Sequence, residues 1–302
     1  MAQFALSSRA AFFLRDSPHT HWLPCNFLAD GASIRLPPML QIKWIKRALL
    51  LAFTLAVTAF TGTRLPASTT NPMKPVPVLV ELYTSEGCSS CPPADAFLQM
   101  LDRQPVAGAE MMVLSEHVDY WNHIGWKDPF SSSFYSDRQG AYGRRFGLGS
   151  VYTPQMVVDG SEEFVGSDRA AAEKAFSKAV ASQKIEVRLS AITLESANRL
   201  RAHLEAAPLP SSLKTSDADV YVAVALNHAE SQVSRGENEG RALTHTAVGE
   251  SMDKVGVTGP GRGFSQDIQL KLKSDPGNLR LVAFVQEAHQ GRVLGAAAEL
   301  VK

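Results

Sequence analysis

The feature that most constrains this chain is a buried-strand pattern that leads directly into two closely spaced cysteines and then into a helix. Residues 75–83 (PVPVLVELY) are apolar and β-branched, which is typical of a strand covered on both faces. Cys88 and Cys91 follow in a turn-rich loop, and Pro92-Pro93 opens a helical run, since the first N–H groups of a helix need no intrahelical partner. Residues 110–118 are a second predicted strand. The fold is therefore expected to begin as strand, CxxC loop, helix and strand.

A long insertion separates this unit from a second hairpin and helix. The insertion, residues 119–149, is polar and aromatic, and its middle part over about 133–146 is expected to be helical. Asp159-Gly160 is a hairpin signal, and Asp168 is suited to cap the next helix. The predicted elements are strands over 155–159 and 163–165 and a helix over 169–182.

The pattern changes after residue 184. Six segments rich in alternating apolar residues predict short strands separated by glycine, proline and serine, which is typical of a β-sandwich. The polar stretch over 234–245 is expected to be a hairpin loop between strands. We therefore predict an α/β domain over 72–183, with the insertion over 119–149, followed by an all-β, sandwich-like domain over 185–302.

The first 66 residues are expected to lie outside the fold. Basic residues precede an apolar run over 48–60, which at 13 residues is too short to span a membrane but suits a secretory signal. Translation is expected to begin at Met39, so that residues 39–66 are a signal peptide and residues 1–38 are a non-native or disordered extension. The alternative is a true N-terminal extension on a membrane-anchored protein. Either reading predicts a periplasmic or secreted protein that meets the membrane only through this segment.

Composition excludes several classes of function. Thirty basic and thirty acidic residues give zero net charge, which argues against a broad nucleic-acid-binding surface. Three cysteines are too few for a disulfide-dense scaffold. Cys25 precedes the predicted cleavage point, so the mature chain keeps two thiols and cannot form a four-cysteine zinc site.

The cysteine pair carries the predicted chemistry. A CxxC motif in an exported chain is a redox dithiol, a metal clamp or an inert disulfide, and the very short loop it closes would add little stability. The partial positive charge at a helix N-terminus favours the thiolate, which is the attacking species in disulfide exchange. We therefore predict a thiol–disulfide oxidoreductase in which Cys88 is the nucleophile and Cys91 resolves the mixed disulfide. Its partners would be protein or peptide thiols and disulfides, and it would need no cofactor.

The same stretch resembles a known family. The element order resembles the thioredoxin fold, and the CSSCPPAD motif is similar to that of secreted bacterial proteins catalogued as thioredoxin-like without an established function. The resemblance extends from about Pro75 to the C-terminus and is carried by four segments, 81–95, 117–121, 125–130 and 152–160. It implies a cis bond before Pro154 and a backbone at Thr153 that pairs with substrate. Gly87 stands where thioredoxin commonly has tryptophan, which departs from thioredoxin-like substrate handling.

Other side chains have predicted roles near this pair. Glu81 is a candidate proton relay to Cys91, against the simpler reading of a solvent-exposed strand end. Trp121 and Trp126 are candidates for an apolar wall that binds a peptide. Asp95 is expected to complement the helix dipole rather than to act in catalysis. Three arginines on the insertion are expected to form a solvated basic face: Arg138, Arg144 and Arg145.

Two other classes of function stay open at this point. In the first, Cys88 and Cys91 join His117 or His123 to bind a copper or zinc ion in a metallochaperone-like module. The simpler reading of that histidine segment is a loop with hydrogen-bonded histidines. In the second, the chain is a non-catalytic binding protein that keeps a thioredoxin-like shape. The sequence does not determine the oligomeric state.

Overall fold

The structure, a computed structural model, describes residues 74–302, all of which lie in one compact unit. The predicted extension over 1–38 and the predicted signal peptide over 39–66 lie outside the described residues. The described part begins with the predicted order of elements. These are β1 (Val76–Thr84), α1 (Pro92–Arg103), β2 (Ala109–His117), α2 (Ser133–Phe146), β3 (Gln155–Val158), β4 (Glu162–Val165) and α3 (Arg169–Val180).

Seven strands follow, with one short 3₁₀ helix between the ninth and the tenth. The strands are β5 (Val187–Ser196), β6 (Arg199–Ala206), β7 (Ala218–Gln232), β8 (Ala242–Thr258), β9 (Phe264–Lys271), β10 (Leu279–Glu287) and β11 (Val293–Leu300), and the 3₁₀ helix is Pro276–Asn278.

Local sequence explains where the helices begin and end. The predicted helix in the insertion begins after Ser132, whose side chain accepts a hydrogen bond from the Phe134 N–H, and ends at Gly147 in the left-handed conformation. The predicted cap at Asp168 is confirmed, because its carboxylate accepts a hydrogen bond from the Ala171 N–H at the start of α3.

Eight strands form one mixed sheet in the order β11-β10-β7-β8-β2-β1-β3-β4. Within it β1 pairs parallel with β2 and antiparallel with β3. Side chains alternate between the faces of β1, so Val80 and Leu82 pack under α1 and α3, while Tyr83 packs on the opposite face against Tyr142 of α2. Because helices cover both faces, β1 is apolar along most of its length.

The second layer is a three-stranded antiparallel sheet, β5-β6-β9. Its inner residues, such as Leu200, Leu204 and Ile268, pack against Val222 and Leu281 of the large sheet. The C-terminal half thus contributes strands to two packed sheets, and the sandwich-like class predicted for it stays a prediction.

The large sheet continues across the boundary predicted at residues 183–185, so the prediction of two separate domains differs from the structure. The junction is a parallel bridge between Ser115 of β2 and Val248 of β8. β8 is not among the predicted strands, and its first residues fall in the stretch over 234–245 that is predicted to be a loop. The middle of β8 is buried over residues 245–249, although it contains histidine, threonine and glycine, so it shows neither alternation nor an apolar run. This strand brings C-terminal side chains to the cysteine motif.

Candidate functional site

Cys88 and Cys91 form a disulfide at the point where the loop after β1 enters α1. Cys91 is the N-cap residue of α1, Pro92 follows it in the first turn, and the two Cα atoms are 5.5 Å apart. Both cysteines are 0% exposed, whereas Ser89 and Ser90 between them are exposed. The pair is therefore at a helix start, as predicted, but its sulfur atoms are closed off from solvent.

A C-terminal loop covers the disulfide. This covering loop, residues 233–241, joins β7 to β8. The Asn238 side-chain amide donates to the backbone oxygens of Glu86 and Cys88 at 2.8 and 3.0 Å, and Asn238 itself is 1% exposed. The Glu237 carboxylate accepts from the Ser89 N–H at 3.0 Å. The stretch expected to be a plain hairpin loop thus binds the cysteine motif.

The predicted cis bond between Thr153 and Pro154 is confirmed. Pro154 lies close to α1, because a Cβ placed on Gly166 would be 3.3 Å from the Pro154 Cβ and 3.1 Å from the Ala94 Cβ. The Gly166 N–H also donates to the Pro154 carbonyl at 2.9 Å. Pro154 is therefore packed beside the first turn of the helix that begins at Cys91.

Trp121 and Trp126 are half-buried and bind polar groups at the site. The Trp121 indole N–H donates to the Thr153 hydroxyl at 2.8 Å, and the Trp126 indole N–H donates to the Glu86 carboxylate at 2.8 Å. A Cβ at Gly87 would lie 3.1 Å from the Trp121 Cβ, so a larger residue at 87 would displace this tryptophan. The Trp126 indole thus connects the insertion to the cysteine loop, and the Trp121 indole connects it to Thr153. Their predicted role as a peptide-binding wall stays a prediction.

Behind the disulfide lies a group of five ionisable side chains that we name the acid–histidine cluster. They are buried and come from five parts of the chain: Glu86, Asp95, His117, Asp128 and His245. The Glu86 carboxylate accepts from His245 Nε2 at 3.2 Å and also from the Ser231 hydroxyl. The opposite ring nitrogen of His245, Nδ1, is 3.9 Å from Asp95 Oδ1. His245 thus stands between an acid of the cysteine loop and an acid of α1.

His117 and Asp128 form a separate ion pair within this cluster. His117 Nδ1 lies 2.7 Å from Asp128 Oδ2, and the same oxygen accepts from the Glu86 N–H at 2.9 Å. Burial by itself would lower the pKa of His117, but the acidic side chains of Asp128, Asp95 and Glu86 together raise that pKa. Burial by itself would raise the pKa of Asp128, but His117 and two backbone N–H donors, those of Glu86 and Phe130, together lower it. Both shifts favour the charged forms, so the two side chains neutralise each other.

Asp95 differs from the residue that the sequence analysis expected. It is buried, its Oδ1 accepts from the Thr84 hydroxyl at 2.9 Å, and its N–H donates to the Cys91 carbonyl at 3.1 Å. Burial raises the pKa of Asp95 more than His245, His117 and Thr84 lower it. A helix-dipole role alone does not account for a buried carboxyl that meets a histidine from β8.

The position of Glu81 does not fit the predicted relay to Cys91. Its side chain alternates with Val80 and Leu82 along β1, so it points to the face opposite α1. There its carboxylate accepts from Arg138 Nε at 2.7 Å and from the Tyr142 hydroxyl at 2.7 Å. Arg138 is itself buried, which differs from the solvated face expected for this arginine. Arg144 and Arg145 on the same helix are exposed.

Glu116 shares this second buried group but is poorly paired. Its nearest cation, Arg138, is 3.8 Å away, and within residues 74–302 its carboxyl oxygens have no hydrogen-bond partner. Burial and the neighbouring Glu81 charge raise the pKa of Glu116 well above its ordinary value, against a lowering by Arg138. Glu116 therefore holds its proton more tightly than an exposed glutamate does, and it shares Arg138 with Glu81.

We expect Glu116→Gln to flatten the dependence of stability on pH. The folded protein holds the Glu116 proton more tightly than the unfolded chain, so this contribution is full below the ordinary pKa of 4.5 and is lost as pH rises toward the folded-state pKa. The loss is up to about 1.4 kcal/mol per pH unit. Urea unfolding at pH 5, 6 and 7 measures it. Glu110→Gln on the exposed end of β2 is the control, and equal slopes in both variants would contradict the assignment.

The four side chains that would bind a metal ion in a metallochaperone-like protein do not lie together in the structure. His117 is buried against Asp128, His123 is exposed, and the two cysteines are joined to each other. Across residues 74–302 there is no group of three or more histidine, cysteine, aspartate or glutamate side chains arranged to hold a metal ion. The same residues contain no helix that is long and apolar enough to cross a membrane.

A protein-family model matches more than half of the chain. A model described as "Protein of unknown function (DUF1223)" matches residues 79–286, which include the cysteine motif, the insertion and β8. The chain belongs to this family. A search of curated proteins found no match. The family model thus spans both predicted domains, in agreement with the continuous sheet.

Two solved structures are similar to this member of the DUF1223 family. One is a crystal structure of a protein from Agrobacterium tumefaciens, with 25% identity and a TM-score of 0.59, covering 76% of this chain and 96% of that one. The other is HBP35 of Porphyromonas gingivalis, with 16% identity and a TM-score of 0.56, covering 75% of this chain and 76% of that one. The second likeness is one of fold alone.

Sequence reasoning missed Asn238, His245 and the pairing of His117 with Asp128. Glu86 precedes Cys88 by two residues, and this spacing in the sequence is a signal that could have identified it as a site residue. Nothing in the spacing of Asn238 or His245 pointed to the cysteines, which lie about 150 residues earlier in the chain.

Proposed function

We propose that this protein is a thiol–disulfide oxidoreductase that acts on protein or peptide thiols outside the reducing cytosol. The observation that carries the proposal is the Cys88–Cys91 disulfide at the first turn of α1, with the cis Thr153–Pro154 bond packed beside that turn. The parallel β1–β2 pair, the intervening α1 and the antiparallel β3–β4 hairpin support a thioredoxin-like arrangement for the N-terminal half. The predicted signal peptide supports export.

The exchange reaction uses the two sulfur atoms in turn. In the oxidised protein, a substrate thiolate attacks Cys88 Sγ, the bond to Cys91 breaks, and Cys91 leaves as a thiolate that takes up a proton. In the reverse direction, Cys91 attacks the mixed disulfide at Cys88 and releases the substrate thiolate. The partial positive charge at the start of α1 favours thiolate at the cysteine motif and so favours attack in either direction.

A substrate reaches Cys88 only after the covering loop moves. Asn238 and Glu237 hold the cysteine loop by three hydrogen bonds, and both cysteines are fully buried. The backbone of this loop is at the surface and lies between two strands, where local opening costs less than global unfolding. Opening of this loop is therefore part of the proposed catalytic cycle.

We expect Cys88→Ser to abolish insulin reduction driven by dithiothreitol and Cys91→Ser to trap a mixed disulfide with an insulin chain. The serine at 88 removes the attacking sulfur, whereas the serine at 91 removes the sulfur that resolves the intermediate. Turbidity measures the first effect, and a mass increase on a non-reducing gel, lost on reduction, measures the second.

Cys25→Ser is the matched control, because it removes a thiol that lies before the predicted cleavage point. It should behave as the parent chain. Full activity of Cys88→Ser, or failure of Cys91→Ser to trap any insulin chain, would contradict the proposed exchange reaction and leave the non-catalytic binding reading in its place.

A further inference from the structure

Asp95 lies on the same side of α1 as Cys91. Residues four apart on a helix are neighbours on one face, and the Asp95 N–H donates to the Cys91 carbonyl at 3.1 Å. Both side chains are buried. The Thr84 hydroxyl donates to Asp95 Oδ1 and so holds this carboxyl in a fixed orientation.

His245 reaches the same carboxyl from β8. Its Nδ1 is 3.9 Å from Asp95 Oδ1 and, within the described residues, makes no hydrogen bond, although the side chain is fully buried. Its Nε2 is bound to Glu86, and the His117 ring packs edge-on at 4.7 Å. His245 therefore presents a free buried nitrogen to Asp95 and is held in this orientation by an acid on its other side.

The charges of the acid–histidine cluster leave room for one proton. His117 and Asp128 pair with each other, so the carboxyl groups of Glu86 and Asp95 both face the His245 ring. Two buried carboxyl groups this close to one imidazole ring favour a shared proton over two full negative charges. Burial also raises the pKa of Asp95, the member nearest Cys91 in the chain.

A cavity connects this proton site with water. It has a volume of about 220 Å³ and lies between α1 and β8. Asp95 and His245 line it together with exposed Ala96, Arg241 and Thr244. A proton held at Asp95 therefore has a route to solvent through this cavity.

We propose that Asp95, positioned by His245, takes up the proton that leaves the Cys91 thiol when Cys91 attacks a mixed disulfide at Cys88. The inference rests on the exchange function proposed above. The new bond joins Cys91 Sγ to Cys88 Sγ, the bond from Cys88 Sγ to the substrate sulfur breaks, and the substrate departs as a thiolate. The proton passes to the Asp95 carboxylate and then to water in the cavity. His245 is a positioning residue, and it comes from the C-terminal half of the chain.

The test follows the two steps separately in the reduced protein. Cys88 attacks the aromatic disulfide DTNB and releases one thionitrobenzoate, and Cys91 then displaces the second. Stopped-flow absorbance from pH 5 to 9 gives both rates. We expect Asp95→Asn to slow the second step by about a hundredfold at pH 7, and His245→Gln by about tenfold. In both variants the rate of the second step should rise with pH only toward the ordinary thiol pKa of about 8.5.

The first step needs no base at Cys91 and should change by less than about twofold in either variant. His228→Gln is the control, since this exposed histidine of β7 binds only Glu230 through its ring. A second-step pH profile unchanged in Asp95→Asn, or equal slowing of both steps, would overturn the proposal. If the His245→Gln variant does not fold, the second-step pH profile of Asp95→Asn alone tests the proposal. Absence of any second release by the parent chain would instead contradict the exchange function itself.

Discussion

Arg138→Met is expected to lower the free energy of unfolding by about 3 to 5 kcal/mol at pH 7. Arg138 is buried, donates to Glu81 and Gln286 at 2.7 and 3.0 Å, and lies 3.8 Å from Glu116. Methionine fills much of the same volume but has no charge. The Glu81 carboxylate would then be buried with the Tyr142 hydroxyl as its main partner. An isolated buried carboxylate is far more costly than a paired one, which accounts for the large effect.

Urea unfolding followed by tryptophan fluorescence measures this change. Arg144→Met, an exposed arginine on the same helix, is the matched control and should lie within about 0.5 kcal/mol of the parent chain. Equal destabilisation by both substitutions would mean that the buried ion pair contributes little.

Asn238→Ala is expected to increase the rate at which dithiothreitol reduces the Cys88–Cys91 disulfide by about tenfold. The substitution removes the two hydrogen bonds that this almost fully buried side chain donates to the cysteine loop, and a third that it accepts from Arg241. Each is worth about 0.5 to 1.5 kcal/mol, so their loss raises the open population of the covering loop by roughly tenfold or more. Because both sulfur atoms are closed off in the covered state, reduction should follow that open population.

The rate is read from thiol alkylation and mass measurement at timed intervals. Asn198→Ala, at the exposed turn between β5 and β6, controls for the loss of an asparagine elsewhere and should leave the rate unchanged. The equilibrium constant for reduction should change far less than the rate, if the loop controls access. An unchanged rate in Asn238→Ala would show that the covering loop does not limit entry to the disulfide.

These two results concern different parts of the molecule and can be separated. Arg138 lies on the α2 face of the large sheet, whereas the covering loop and the acid–histidine cluster surround the start of α1. Arg138→Met should therefore change stability without changing the pH profile of disulfide exchange. The proposed function depends on the region around the start of α1, and stability at neutral pH depends on the buried group around Arg138.

Local sequence was sufficient for the N-terminal elements. The apolar run before Cys88, the prolines after Cys91 and the acceptor at Asp168 act on their own neighbours, so they set β1, α1 and α3 without help from distant residues. The start of α2 likewise follows from Ser132 and its end from Gly147. The position of the cysteine pair at a helix start is a property of this same short stretch.

Tertiary structure determined which faces of the strands and helices pack against each other, and so which side chains lie near the disulfide. The alternation of β1 separates Glu81 from Leu82, but only the packing of α1 against Leu82 places Glu81 on the far face, away from Cys91. The burial of Arg138 and the identity of β8 as a central strand likewise depend on partners distant in sequence. Asn238 and His245 reach the disulfide because β8 pairs beside β2, a contact between segments more than 100 residues apart that no local pattern encodes.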